Sequence, residues 1–219
     1  MGNAMRLAAG LVLAALALTG CDRGGGSAPA GPPVDRSSQV ALDAAVSEAL
    51  LADPSAHDWA AEPLGDRGVN VVGHRLLQAC GAKLASDERI VAEQTAGWQG
   101  PGGLPALDQV VLAYDRPIAA DAIRQARAAL TCHTYDSPFG AGSVAVGALL
   151  DLGPAAGGGE NFGFCEAPAN GPGNARCVTI LGAGQIACAV RVLATDQATA
   201  ADRLRALMPA LLSACHGGA

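Results

Sequence analysis

Apolar and polar positions recur along this chain with two periods, and each period marks an element. Residues 39–52 (QVALDAAVSEALLA) place Leu42, Val46 and Leu50 at i, i+4 and i+8, the stripe of an amphipathic helix. Ser37-Ser38 ahead of it suit an N-cap, and Pro54 behind it a stop. Residues 74–84 (HRLLQACGAKL) predict a shorter helix with Cys80 near its end. Residues 89–94 predict a strand, Gly100-Pro101-Gly102-Gly103 a loop, and residues 108–114 (DQVVLAY) a firmer strand. Pro117 then opens a helix, where its missing N–H costs nothing, with Ala119, Ala122, Ile123, Ala126 and Leu130 along one face. The glycine-rich stretch 140–159 holds a strand over 143–149. Phe162 and Phe164 alternate on one strand face, for which core packing is the simplest explanation. Residues 176–181 and 185–193 are strands joined by Gly182-Ala183-Gly184, a hairpin signal, and Ile186, Cys188, Val190 and Val192 share one face. Asp196 caps a last helix whose stripe is Leu204, Leu207, Leu211 and Cys215.

Helices and strands are mixed here without strict βαβ alternation. The expected fold is α+β: a largely antiparallel sheet with helices packed on it, stapled by disulfides. It occupies residues 39–219 as one domain.

The first 38 residues follow neither period. Arg6 precedes the apolar run 7–18, which at twelve residues is too short for a bilayer-spanning helix of about 20 residues. It has the make-up of the h-region of an export signal. The run ends in Leu18-Thr19-Gly20-Cys21, which resembles the bacterial lipobox. The small residues let the chain lie extended in a peptidase cleft, and the cysteine sulfur takes the lipid. The resemblance implies that residues 1–20 are removed and that Cys21 is lipidated, with palmitate among the acyl chains. Two or more chains anchor a protein stably, at roughly 0.8 kcal/mol per buried methylene. Residues 22–38 (DRGGGSAPAGPPVDRSS) read as a flexible tether, so that 21–38 is a lipidated cysteine and linker. The expected location is the cell envelope, on the extracytoplasmic side of a membrane.

Composition changes this picture in two ways. The chain has 219 residues, half of them hydrophobic, yet only seven are aromatic. A core built mainly from Ala, Val and Leu gains from cross-links. The charge is −6, and loss of Arg6 with the signal makes the domain slightly more acidic. Lys83 is the single lysine, and the arginines are scattered. Nucleic acid is excluded as a partner, because phosphate binding needs clustered positive charge.

Six cysteines follow Cys21: Cys80, Cys132, Cys165, Cys177, Cys188 and Cys215. An even count in an exported chain implies disulfides. Fifteen pairings are possible, and sequence alone does not choose among them. Cys188 on a core-facing strand position and Cys215 on the last helix's stripe favour one bridge. Cys165–Cys177 would close the Pro/Gly loop, and Cys80–Cys132 would tie the early helix to the end of the middle one. Cys177–Cys188 is less attractive across the hairpin. The C-x-x-C spacing of redox and zinc motifs is missing. Cys132-His133 and Cys215-His216 are poor metal sites, since neighbouring residues on a strand face opposite sides.

The stretches 107–135 (LDQVVLAYDRPIAADAIRQARAALTCHTY), 140–150 (GAGSVAVGALL) and the hairpin and helix from Arg176 onward carry a resemblance. Behind a lipobox and polar linker, they are similar to actinobacterial sensor-domain lipoproteins and to the extracellular sensor domain of PknH-type serine/threonine kinases. The resemblance implies a sheet with helices, a cleft, and two disulfides, onto which Cys80–Cys132 and Cys165–Cys177 map. Cys188 and Cys215 depart from it as an extra pair, and there is no kinase portion.

Catalytic motifs are missing. Ser143 lacks the glycines of G-x-S-x-G, and there is no Walker A, H-E-x-x-H, EF-hand or G-x-G-x-x-G pattern. His57, His74, His133 and His216 read as surface or satisfied polar residues. His57-Asp58-Trp59 and Tyr114-Asp115-Arg116 combine polar and aromatic groups that suit a ligand site, although element ends often look this way. No cofactor or metal is implied. The expected role is that of a non-enzymatic, membrane-anchored domain that binds a small ligand or an envelope protein; the alternative is an envelope hydrolase with a dispersed site.

Overall fold

A computed structural model describes residues 36–52, 62–63, 75–138, 142–155 and 158–216 of the chain. Three helices are present among them: α1 (Arg36–Glu48), α2 (Ala119–Ala129) and α3 (Gln197–His216). The strands are β1 (Glu62–Pro63), β2 (Ile90–Gln99), β3 (Ala106–Tyr114), β4 (Thr134–Asp136), β5 (Ser143–Leu150), β6 (Glu160–Pro168), β7 (Ala175–Ala183) and β8 (Ile186–Ala194). They form one sheet in the order β1-β2-β3-β8-β7-β6-β5-β4, and every neighbouring pair is antiparallel. The fold is α+β.

Helices lie on both faces of the sheet. On one face, Val46 of α1 and Leu204, Leu207 and Leu211 of α3 pack on Leu107, Val111, Leu181, Cys188 and Val190. On the other, Ala122, Ile123 and Ala126 of α2, with Leu76, Leu77 and Leu84, pack on Val110, Leu112, Phe162, Phe164 and Ile180. Strands β7 and β8 are therefore buried on both sides and are apolar along most of their length, Arg176, Thr179 and Arg191 excepted.

The β7–β8 turn is tighter than the three-residue loop expected. Ala183 lies opposite Ile186, so Gly184-Gln185 is a two-residue turn. Gly184 has φ +55°, and a Cβ on Gly182 would meet the Ile186 carbonyl oxygen at 2.3 Å. The turn docks on the rest of the sheet: Tyr114 N donates to Gln185 O at 2.9 Å, and Ala119 N to Gly184 O at 3.0 Å. Asp196 caps α3 as expected, accepting from Thr199 N at 2.9 Å through Oδ1.

Two helix assignments need correction. Helix α1 starts at Arg36, ahead of Ser37-Ser38, and ends at Glu48 instead of Ala52. Its end is taken over by a side chain: buried Gln109 of β3 accepts from Leu51 N at 2.8 Å and donates to Ala49 O at 2.9 Å. That satisfies two backbone groups that further helix would otherwise have paired. In the segment 75–84 the expected helix is replaced by irregular chain and a single 3₁₀ turn, Ala79–Gly81. Cys80 and Gly81 have φ of +59° and +62°, left-handed values that no α-helix accepts. His74 lies outside the described residues.

Candidate functional site

On the α2 face, toward the end of the sheet where β6 finishes and β7 begins, four charged side chains and a tyrosine replace the apolar pattern. The ladder sets their positions. Asp108 of β3 lies directly opposite Arg191 of β8, and Glu166 of β6 directly opposite Arg176 of β7. Arg191 Nη1 donates to Asp108 Oδ2 at 2.5 Å. Arg176 Nη1 donates to Glu166 Oε1 at 2.9 Å, and the Tyr135 hydroxyl of β4 donates to Glu166 Oε2. The side chains of Glu166 and Arg191 are 3% and 5% exposed. Charges so deeply buried are stable only when matched, and here two acids meet two bases.

The Tyr135 phenol is held well above its ordinary range. Burial is the first cause, followed by its hydrogen bond to the Glu166 carboxylate and that group's charge; Arg176 and Arg191 pull the other way. Tyr135 is therefore a neutral hydrogen-bond donor at physiological pH.

Residues Leu76–Ala79 close over this cluster, with Phe164, Val178 and Ile180 as an apolar floor. The hollow between them is partly open to solvent and has about 10 Å³ of room, enough for about one water molecule. A second hollow of about 100 Å³ lies between Leu104-Pro105, the end of β8 and the first turns of α3, beside Thr195, Thr199 and Arg203.

The described polar and aromatic residues singled out in the sequence do not converge on one site. His57-Asp58-Trp59, like Cys21, lies outside the described residues. Tyr114 is fully buried, while Asp115 pairs outward with Arg89 at 2.9 Å. The Tyr114-Asp115-Arg116 grouping therefore does not form one site. Phe162 and Phe164 are core residues with ring centroids 6.3 Å apart, and Arg127 lies 5.5 Å over the Phe162 ring. His133 is exposed. Both ring nitrogens of His216 are buried without a hydrogen-bond partner, and burial lowers its pKa.

The six described cysteines form three disulfides. Cys165–Cys177 joins facing positions of β6 and β7, and Cys188–Cys215 fastens α3 to β8. Cys80–Cys132 ties the 3₁₀ turn to the chain between α2 and β4. Among the described residues, no group of three or more His, Cys, Asp or Glu is placed to hold a metal. No described helix is long and apolar enough to cross a membrane.

Residues 108, 135, 166, 176 and 191 were not singled out from the sequence. A signal was present: Arg191 is the one charge in the strand IACAVRVLA, and a lone ion in an apolar strand must find a partner across the ladder.

No family model matches the chain, and no curated protein matches it. Among solved structures, it is similar to the extracellular domain of PknH from Mycobacterium tuberculosis, with a TM-score of 0.42 and 10% sequence identity. That match covers 57% of this chain and 65% of the PknH domain. Three disulfides suit an oxidising compartment outside the cytoplasm.

Proposed function

We propose that this protein is a membrane-anchored, extracytoplasmic lipoprotein whose sensor-like domain binds a small ligand or an envelope partner. Leu18-Thr19-Gly20-Cys21 supports the anchor, and residues 22–38 the tether. The observation that carries the binding role is the matched charge cluster at one end of the sheet. Asp108, Arg191, Arg176 and Glu166 place two acids and two bases beside a neutral phenol donor. Such a set discriminates among polar ligands, since each group of the ligand must replace a partner of equal strength. All six described cysteines are bridged, so none of them offers a thiol nucleophile beside the cluster. The role is recognition without turnover.

Native mass spectrometry of the protein extracted from its own membrane tests this reading. A bound small molecule or protein, lost from the Arg191→Met variant, is the expected result. A spectrum showing only the mass of the chain and its lipid, with or without the substitution, contradicts it.

A further inference from the structure

We propose that Cys80–Cys132 is a redox modification site. A dithiol reductant cleaves it, and cleavage frees the segment that roofs the charged pocket. The accessibility of this bond is independent of any binding role.

The three disulfides are not equally accessible. Cys165, Cys177, Cys188 and Cys215 are all fully buried against the α3 face of the sheet. Cys80 and Cys132 are half-buried at the edge of the opposite core. A thiolate reaches this bond from solvent, whereas the other two require the core to open.

Position gives that accessibility a consequence. Cys80 directly follows Leu76–Ala79, which cover the pocket, and Cys132 lies three residues before Tyr135, which hydrogen-bonds Glu166 inside it. The bond therefore clamps two walls of one cavity. Little regular structure holds the roof in its place, since residues 75–84 contain one 3₁₀ turn and no strand. Cys80 is also the one non-glycine described residue with positive φ, +59°. Left-handed backbone at a residue with a Cβ persists only where its surroundings impose it. The clamp is part of what imposes it here. The hollow beneath this segment is partly open and has room for about one water, so an occupant larger than water seats deeply only if the segment shifts.

The chemistry balances with one co-reactant, a dithiol such as a thioredoxin-type protein. Its thiolate attacks one sulfur of Cys80–Cys132 and forms a mixed disulfide, and the second sulfur leaves as a thiolate and takes a proton. The reductant's other thiol then displaces the first cysteine. Two electrons and two protons pass to Cys80 and Cys132, and the reductant departs as its own disulfide.

The test uses the oxidised full chain, treated under native conditions with graded dithiothreitol. Aliquots are alkylated for peptide mapping and followed in parallel by hydrogen exchange. Cys80 and Cys132 should be labelled at least about tenfold faster than the other four bridged cysteines. Amides of 75–84 and 134–136 should lose protection while those of β7 and β8 keep theirs. Cys80→Ser/Cys132→Ser should reproduce the exchange pattern without reductant. The proposal is overturned if a buried disulfide opens first or at the same rate, or if roof protection is unchanged after reduction. A double variant that fails to fold also overturns it, because a gate must open without unfolding the sheet.

Discussion

Glu166 holds two partners at once, Arg176 and Tyr135, with almost no access to water. Replacing it with Gln keeps the shape and removes the charge, which breaks its ion pair with Arg176. Chemical denaturation should show Glu166→Gln less stable by about 3 kcal/mol, since breaking a buried pair costs more than the pair itself contributes. A loss under about 1 kcal/mol, the usual worth of an exposed pair, would mean that water reaches the pair in solution. Gln109 is a second such residue. Gln109→Leu leaves Leu51 N–H and Ala49 C=O unpaired in the core and should cost roughly 2–3 kcal/mol. Neither residue was legible in advance: the sequence shows one glutamate and one glutamine in apolar strands, but which backbone or arginine each meets depends on strand order.

His216 makes a prediction about pH at the same scale. Its pKa is lowered by burial in the folded state, so the unfolded chain takes up a proton more readily. Stability is complete above the unfolded histidine value of about 6.5 and falls as pH drops through it. His216→Gln should flatten the stability profile between pH 7.5 and 5.5 relative to the parent, a window set about that unfolded value. Equal slopes in the two proteins would show that His216 is hydrated.

At the scale of elements, the last helix depends on its stripe and on one bond. Leu204, Leu207, Leu211 and Cys215 are all fully buried, and Cys215 joins Cys188. These contacts follow from local sequence: β8 and α3 are adjacent in the chain, and the apolar periods of each leave one face to share. The same logic located α2 and the β7–β8 hairpin. It failed over the described residues 75–84, where RLLQACGAKL continues a helical pattern but the chain turns left-handed at Cys80-Gly81. Gly81 accepts that conformation readily, whereas Cys80, bonded to Cys132, adopts it despite its Cβ. Cys188→Ala/Cys215→Ala should lower stability by roughly 3–4 kcal/mol on the chain-entropy estimate, measured by denaturation with the other bridges intact. A change below about 1 kcal/mol would mean that the packed stripe alone holds α3.

For the whole molecule, a sheet covered on both faces by small apolar side chains has few large contacts to spare. Seven aromatic residues serve the entire chain; one disulfide fastens α3 to the sheet, one joins β6 to β7, and one ties the turn at Cys80 to the chain before β4. Export and cross-linking thus belong together, because these bonds form in an oxidising compartment. The sequence pattern was sufficient for the α+β class, since helical and strand periods are visible in separate stretches. It was insufficient for the charged cluster, whose members come from β3, β4, β6, β7 and β8 and meet only once the ladder is assembled.

The proposed anchor would hold this domain outside a membrane through Cys21. Mass spectrometry of the N-terminal peptide from the membrane fraction tests it most directly. The expected peptide begins at Cys21 and carries the mass of a diacylglyceryl group, which is absent when Cys21→Ala is expressed. A peptide that begins upstream of Cys21, or an unmodified Cys21 in protein recovered without the membrane, would contradict it.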